Sequence, residues 1–150
     1  MRRIADTGLL KALLDRSDIH HRWGHEQFRA HAPFVTCEPV LDELGHLTQD
    51  HRLGLRLIAR GDLVLDFSLA ENVRPVLALL EKYADRPMDL ADACIVRMAE
   101  IHDRHAVLTL DSDFLVYRKN GRSPLPLIHP AAALLKVLSD VEVLNVVRKR

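Results

Sequence analysis

The stretch VLTLDSDF (107–114) runs an apolar, strand-like segment straight into Asp111 and Asp113. Like charges repel, and the end of a buried strand is a poor place for carboxylates unless something requires them there. Other acidic residues have comparable settings. Asp6 follows a strand-like segment at 3–5. On a wheel of about 100° per residue, Glu43 borders an arc made by Val40, Leu41, Leu44 and Leu47, whereas Asp42 points nearly the opposite way with His46 and Gln49. Asp92 has Ile95, Val96 and Ala99 at i+3, i+4 and i+7, so it is held among apolar residues of the helix MDLADACIVRMAE. Each acid alone has a plain structural reading. Asp89 reads as a helix N-cap, Asp92 as a first-turn carboxylate, Glu43 as a solvated boundary residue and Asp111 as a turn residue.

The joint occurrence of Asp6, Glu43, Asp92 and Asp111 on two strand ends and two helix faces points further. Two unit charges 4 Å apart repel by about 4 kcal/mol at an effective dielectric of 20. Converging carboxylates must therefore be protonated in part or neutralised by a cation. A donor set of oxygens alone selects a hard ion, Mg²⁺ or Mn²⁺. Such a site suits hydrolysis of a phosphodiester by an activated water.

These residues are positioned by elements that alternate along the chain. Segments 3–5, 33–36, 62–67, 106–110 and 125–129 read as strands. Segments 7–14, 20–31, 39–49, 51–60, 69–84 and 88–105 read as helices, with Thr7 near the first cap, Pro39 in a first turn and Gly61 as a C-cap. Trp23 and Phe28 read as packing residues, Gly24 as a weak point of its helix, and NGRSP (120–124) as a turn. Strands alternating with helices predict an α/β fold, a central parallel sheet covered by helices, and such sheets gather ligands at the carboxyl ends of their strands. Asp6, Asp111 and Asp113 fall there.

Composition narrows the function classes. With 150 residues, 48% hydrophobic and 28% charged, the chain reads as one globular domain. Lys plus Arg equals Asp plus Glu at 21 each, which argues against a protein that coats nucleic acid by charge alone. Cys37 and Cys94 lack paired spacing and read as reduced and buried. The basic start MRR leads into an apolar stretch interrupted by Asp6 and Lys11, unlike a signal peptide, and no run approaches the ~20 apolar residues of a membrane helix. A cytoplasmic protein with no membrane association is expected.

The segments IADTGLLKALLDRSDIHH, TCEPVLDELGHL, MDLADACIVRMAE and VLTLDSDF, in this order, together resemble the PIN domain over roughly residues 1–130. The resemblance implies a three-layer α/β/α sandwich, a Mg²⁺- or Mn²⁺-dependent ribonuclease and, among small stand-alone relatives, the VapC-like toxin of a toxin–antitoxin pair. It implies an RNA substrate, a VapB-like antitoxin and a homodimer. Carried over by motif, Asp6, Glu43, Asp92 and Asp111 are the catalytic acids, with Asp6, Asp92 and Asp111 as metal ligands and Asp113 as a further one. Thr7 stands beside the first acid as a donor to carboxylate or phosphate. Residues 131–150 continue beyond the family pattern and are expected to pack on the same domain or on a partner.

Arg118, Lys119 and Arg122 closely follow the acidic strand end and are candidates for RNA phosphate contacts, although a solvated turn fits them equally. His21 and His25 have the spacing of a helical metal pair, but no third ligand accompanies them, and surface histidines are the expected reading. Rival functions are a phosphate-accepting receiver domain, a non-catalytic RNA- or protein-binding module of the PIN type, and an RNA-processing nuclease outside any toxin system. The first needs an acid pair after the opening strand and a lysine near the last strand. The chain offers Asp6 alone and no lysine in LPLIHP.

Overall fold

The computed structural model describes residues 1–130. The expectation for 131–150 lies outside the described residues. Chain order is β1 (Ile4–Ala5), α1 (Thr7–Leu14), α2 (His21–His31), β2 (Phe34–Thr36), α3 (Glu38–Thr48), α4 (Arg52–Ala59), β3 (Leu63–Leu65), α5 (Val73–Lys82), α6 (Leu90–Ile101) and β4 (Val107–Leu108). A 3-10 turn (Ser112–Leu115), a small hairpin of β5 (Arg118–Lys119) and β6 (Ser123–Pro124), and β7 (Leu127–Ile128) follow.

The five strands expected from the apolar segments form one parallel sheet of order β3-β2-β1-β4-β7. The chain therefore winds outward from β1 through β2 to β3, then returns to place β4 on the other side of β1. Ile4 pairs with Val35 on one side and with Val107 on the other. Ile4, Ala5, Val35, Val107 and Leu108 are wholly buried, as parallel strands covered by helices must be. The core continues through Leu9 and Leu10 of α1, Val40 and Leu44 of α3, and Ile95, Val96 and Met98 of α6. Cys37 and Cys94 are free and buried, and they neighbour each other where the start of α3 meets α6. Among the described residues no helix is long and apolar enough to cross a membrane.

Several elements differ from the sequence reading. The helix expected over 69–84 begins only at Val73, because 69–72 form a turn in which the Asn72 side chain donates to the Ser68 carbonyl. The helix expected over 88–105 ends at Ile101. Segment 120–124 is more than a turn. Asn120 and Gly121 both take positive φ, Arg122 N–H donates to the Lys119 carbonyl, and the flanking residues pair as β5 and β6. Asn-Gly is the dipeptide that such hairpin turns favour. Leu47, expected on the buried arc of α3, is 52% exposed. It lies one turn beyond Glu43 on the face that opens toward the carboxyl ends of the strands, so the arc is core at Val40 and Leu44 and open at Leu47.

Gly24 is a contact point in α2 and not merely a weak point. A Cβ there would stand 3.0 Å from the Leu13 backbone nitrogen and 3.2 Å from the Ala12 carbonyl carbon, so α2 rests directly on the last turn of α1. His21 Nδ1 reaches the Ala12 carbonyl at 2.7 Å and fastens the same contact. Alanine is the better helix former by about 1 kcal/mol. We nevertheless expect Gly24→Ala to lower stability by about 1–3 kcal/mol, because the two backbones must separate. A urea midpoint equal to or above that of the parent chain would show that the helices do not touch in this way.

Candidate active site

The winding of the sheet decides where a site can form. At β1 and β4 successive connections leave in opposite directions, and the carboxyl ends of these neighbouring strands border a crevice. Asp6 follows β1 immediately and is 6% exposed. Its Oδ1 accepts from the Thr7 N–H at 2.7 Å, capping α1, and its Oδ2 accepts from the Thr109 hydroxyl at 2.7 Å. Thr109 follows β4, so this bond joins the ends of the two central strands. The same hydroxyl oxygen accepts from the Asp111 N–H at 2.9 Å. Asp111 Oδ1 in turn accepts from the Asp113 N–H at 2.9 Å, capping the 3-10 turn.

Two helices bring the remaining acids. Glu43 projects from the middle of α3, and its Oε2 accepts from the Thr7 hydroxyl at 3.1 Å. Asp92 lies in the first turn of α6 as half of a capping box. Its N–H donates to Asp89 Oδ1 at 2.8 Å, while its own Oδ2 accepts from the Asp89 N–H at 3.4 Å. The helix-cap reading of Asp89 and Asp92 and the site reading of Asp92 thus describe one residue. The free N–H groups that favour a carboxylate at a helix start also hold Asp92 at the crevice.

Asp6, Thr7, Glu43, Asp92, Asp111 and Asp113 line a single cavity of about 470 Å³. Every acid and the one hydroxyl singled out in the sequence are therefore brought together. Asp89 lines the cavity as well. Sequence reasoning assigned it only to capping, although its spacing of three from Asp92 was a signal that both face the same crevice. Thr109 was missed in its role as the bridge between strand ends, and so was Tyr117. The Tyr117 hydroxyl stands 3.4 Å from Asp92 Oδ2, and its buried ring packs against Phe114 and Tyr83.

Arg118, Lys119 and Arg122 do not line the cavity. The Arg118 guanidinium donates to the carbonyls of Leu115, Val116 and Tyr117, and Lys119 is paired with Asp103. Arg122 is exposed in the hairpin turn. Beside the acidic cavity lies an apolar groove of about 820 Å³, which shares Glu43, Leu47 and Asp89 with it and is walled by Phe67, Leu69 and Leu90.

The electrostatics follow from burial and crowding. Asp6 is pushed up to about 6, chiefly by burial and further by Glu43 and Asp111, against the lowering effect of its bonds from Thr109 and Thr7. Asp92 is pushed up to about 8 by burial first, then by the charges of Asp89 and Asp6. Burial, then Asp89, raises Glu43, and burial again leads in raising Asp111. Carboxyls so shifted either hold protons near neutral pH or receive a cation. The donors are all oxygens on the rim of an open crevice, a set that fits Mg²⁺ or Mn²⁺.

Without divalent ions the folded chain binds more protons than the unfolded one wherever these acids are raised. Their contribution to stability is thus complete below about pH 4 and is lost as pH rises through 6 and then 8. In chelator, melting temperature should fall across that window. Asp92→Asn should flatten the upper half of the fall and raise melting at pH 8 by on the order of 5 °C. A parent profile flat between pH 5 and 9 would contradict the crowding described here.

No family model matches the chain, and no curated protein matches it at a significant level.

Proposed function

We propose that the chain is a Mg²⁺- or Mn²⁺-dependent endoribonuclease of the PIN type, a three-layer α/β/α sandwich that acts as the VapC-like toxin of a VapB-type antitoxin. One observation carries the reading. Acids separated by up to 107 positions in sequence share one cavity at the switch point of a parallel sheet, where burial and mutual repulsion raise Asp6, Glu43, Asp92 and Asp111 together. A fold that needed only capping residues would have no reason to aim four of them at one another.

In this reading Asp6, Asp92 and Asp111 hold the ion and Asp113 completes its surroundings. When bound, the ion neutralises the carboxylates, polarises the phosphodiester and makes water a better nucleophile. The remaining work falls to this chain's own groups. Thr109 and the Thr7 N–H occupy one lone pair on each Asp6 oxygen and fix the direction of those that remain. Glu43, raised and bonded to the Thr7 hydroxyl, orients the attacking water and accepts its proton. Asp89 adds negative charge at the rim. The apolar groove that shares Glu43 with the cavity offers unpaired bases a place out of water, which favours single-stranded RNA over a duplex. Phosphate contacts by Arg118 and Lys119 would require them to leave Asp103 and the carbonyls of 115–117.

Single-stranded RNA incubated with the purified chain should be cut only when Mg²⁺ or Mn²⁺ is present. Asp6→Asn and Asp92→Asn should abolish cutting, while Glu43→Gln should slow it by about 10²-fold or more. Each variant should remain folded by circular dichroism. The same ions should raise the melting temperature of the parent chain at pH 8 and leave Asp92→Asn nearly unmoved. Cleavage that persists in chelator, or wild-type turnover in either Asp variant, would refute the proposal. Growth arrest on expression, relieved by the product of an adjacent short reading frame, tests the toxin assignment separately.

A further inference from the structure

The corner between α3 and α4 carries a second group of ligand-type residues, of different chemistry. We propose that Asp42, His46 and His51 form a transition-metal site of the zinc class, outside the acidic cavity and argued without the nuclease reading, although Asp42 and His46 also line the apolar groove. One ligand atom from each residue lies within 4.8 Å of the other two. Asp42 Oδ2 and His46 Nε2, one helical turn apart, stand at 3.5 Å. Two ligand atoms on a tetrahedral zinc ion with bonds near 2.0–2.1 Å are about 3.3 Å apart, so this pair is already at coordinating separation. The rings of His46 and His51 meet edge to face, with centroids 5.0 Å apart.

The backbone is shaped to bring His51 there. Gln49 takes φ 55° and ends α3, and Asp50 N–H returns to the Gly45 carbonyl at 3.1 Å. The chain doubles back, and His51 comes to lie over the last turn of α3. The ring fits only because residue 45 is glycine. A Cβ on Gly45 would stand 2.1 Å from His51 Nδ1 and 2.5 Å from its Cγ and Cε1. Glycine inside a helix costs about 1 kcal/mol relative to alanine. At this position the cost leaves room for the His51 imidazole, which lies flat over residue 45.

Two imidazole nitrogens and one carboxylate oxygen suit Zn²⁺ and its first-row neighbours, while Mg²⁺ prefers oxygens alone. The three side chains are exposed, so small rotations close the ligand set and water fills the fourth position. Bound there, the ion clamps the start of α4 onto the end of α3. His21 and His25, the pair singled out by sequence spacing, have rings 4.5 Å apart and no acid grouped with them at ligand distance among the described residues.

The test is calorimetric titration of Zn²⁺ alone into the full chain, in buffer holding millimolar Mg²⁺. One equivalent should bind. His46→Ala and His51→Ala should each weaken it by about 100-fold, since direct ligands weigh at least as much as the outer partners whose loss costs about 10–100-fold. Gly45→Ala, which removes no ligand but fills the seat of His51, should weaken it by about tenfold. Asp92→Asn should bind as the parent does, whether or not the chain proves to be a nuclease. The proposal is overturned by an absence of binding, or by binding that survives both histidine variants, as it would at His21–His25. Undiminished affinity in Gly45→Ala, or loss of the equivalent in Asp92→Asn, overturns it as well.

Discussion

The structure depends on one constraint, the confinement of several carboxylates against a low-dielectric core. Asp6 and Asp92 are almost wholly buried, and each stands within the field of at least two other acids. Such a cluster opposes folding and must be held by the rest of the molecule. The restraint comes from hydrogen bonds that serve the scaffold as well. The Thr109 hydroxyl joins β4 to the end of β1 through Asp6, the Thr7 hydroxyl joins α1 to α3 through Glu43, and the capping box joins Asp89 to Asp92. The acids are therefore the fastenings of the sheet's carboxyl end as well as its burden.

The apolar frame beneath them explains why the cluster does not simply spread apart. Asp92 rides on a helix whose Ile95, Val96 and Ala99 are fully buried, so moving its carboxylate outward would carry core residues with it. Asp6 follows Ile4 and Ala5 without an intervening loop. Glu43 shares α3 with Val40 and Leu44, and the thiols of Cys37 and Cys94 meet where that helix begins against α6. Helix and strand ends of this kind have little freedom, which is what preorganisation of an ion site requires. The exposed side of the same helix tells the opposite story. Asp42 and His46 sit in solvent, and only the missing Cβ of Gly45 brings a third side chain to them.

Much of this could be read from sequence, for identifiable reasons. Buried parallel strands are short apolar runs, and the five proposed runs are the five strands of the sheet. The acids stood out because each interrupts an apolar pattern. What escaped was whatever depends on a partner distant in the chain. Thr109 looks like an ordinary strand residue until Asp6, 103 positions away, is seen to need its hydroxyl. Leu47 has the correct phase for the core, but phase cannot say that α3 runs out over an open cavity at that turn. Arg118 and Lys119 looked free because neither the carbonyls at 115–117 nor Asp103 is visible as a partner in one dimension. The hairpin at 118–124 was legible in Asn120–Gly121, yet strands of two residues fall below what alternation can reveal.

The distribution of aromatic side chains has a consequence for observing the molecule. The chain has one tryptophan and two tyrosines. Trp23 belongs to α2, where that helix rests on α1. The two tyrosine rings meet edge to face beside the crevice, and the Tyr117 hydroxyl faces Asp92. Indole and phenol absorb and rotate near-ultraviolet light in separable bands. The protein thus carries two native chromophores with different assignments, one reporting on a remote helix pair and one on the neighbourhood of the carboxylates, with no label introduced.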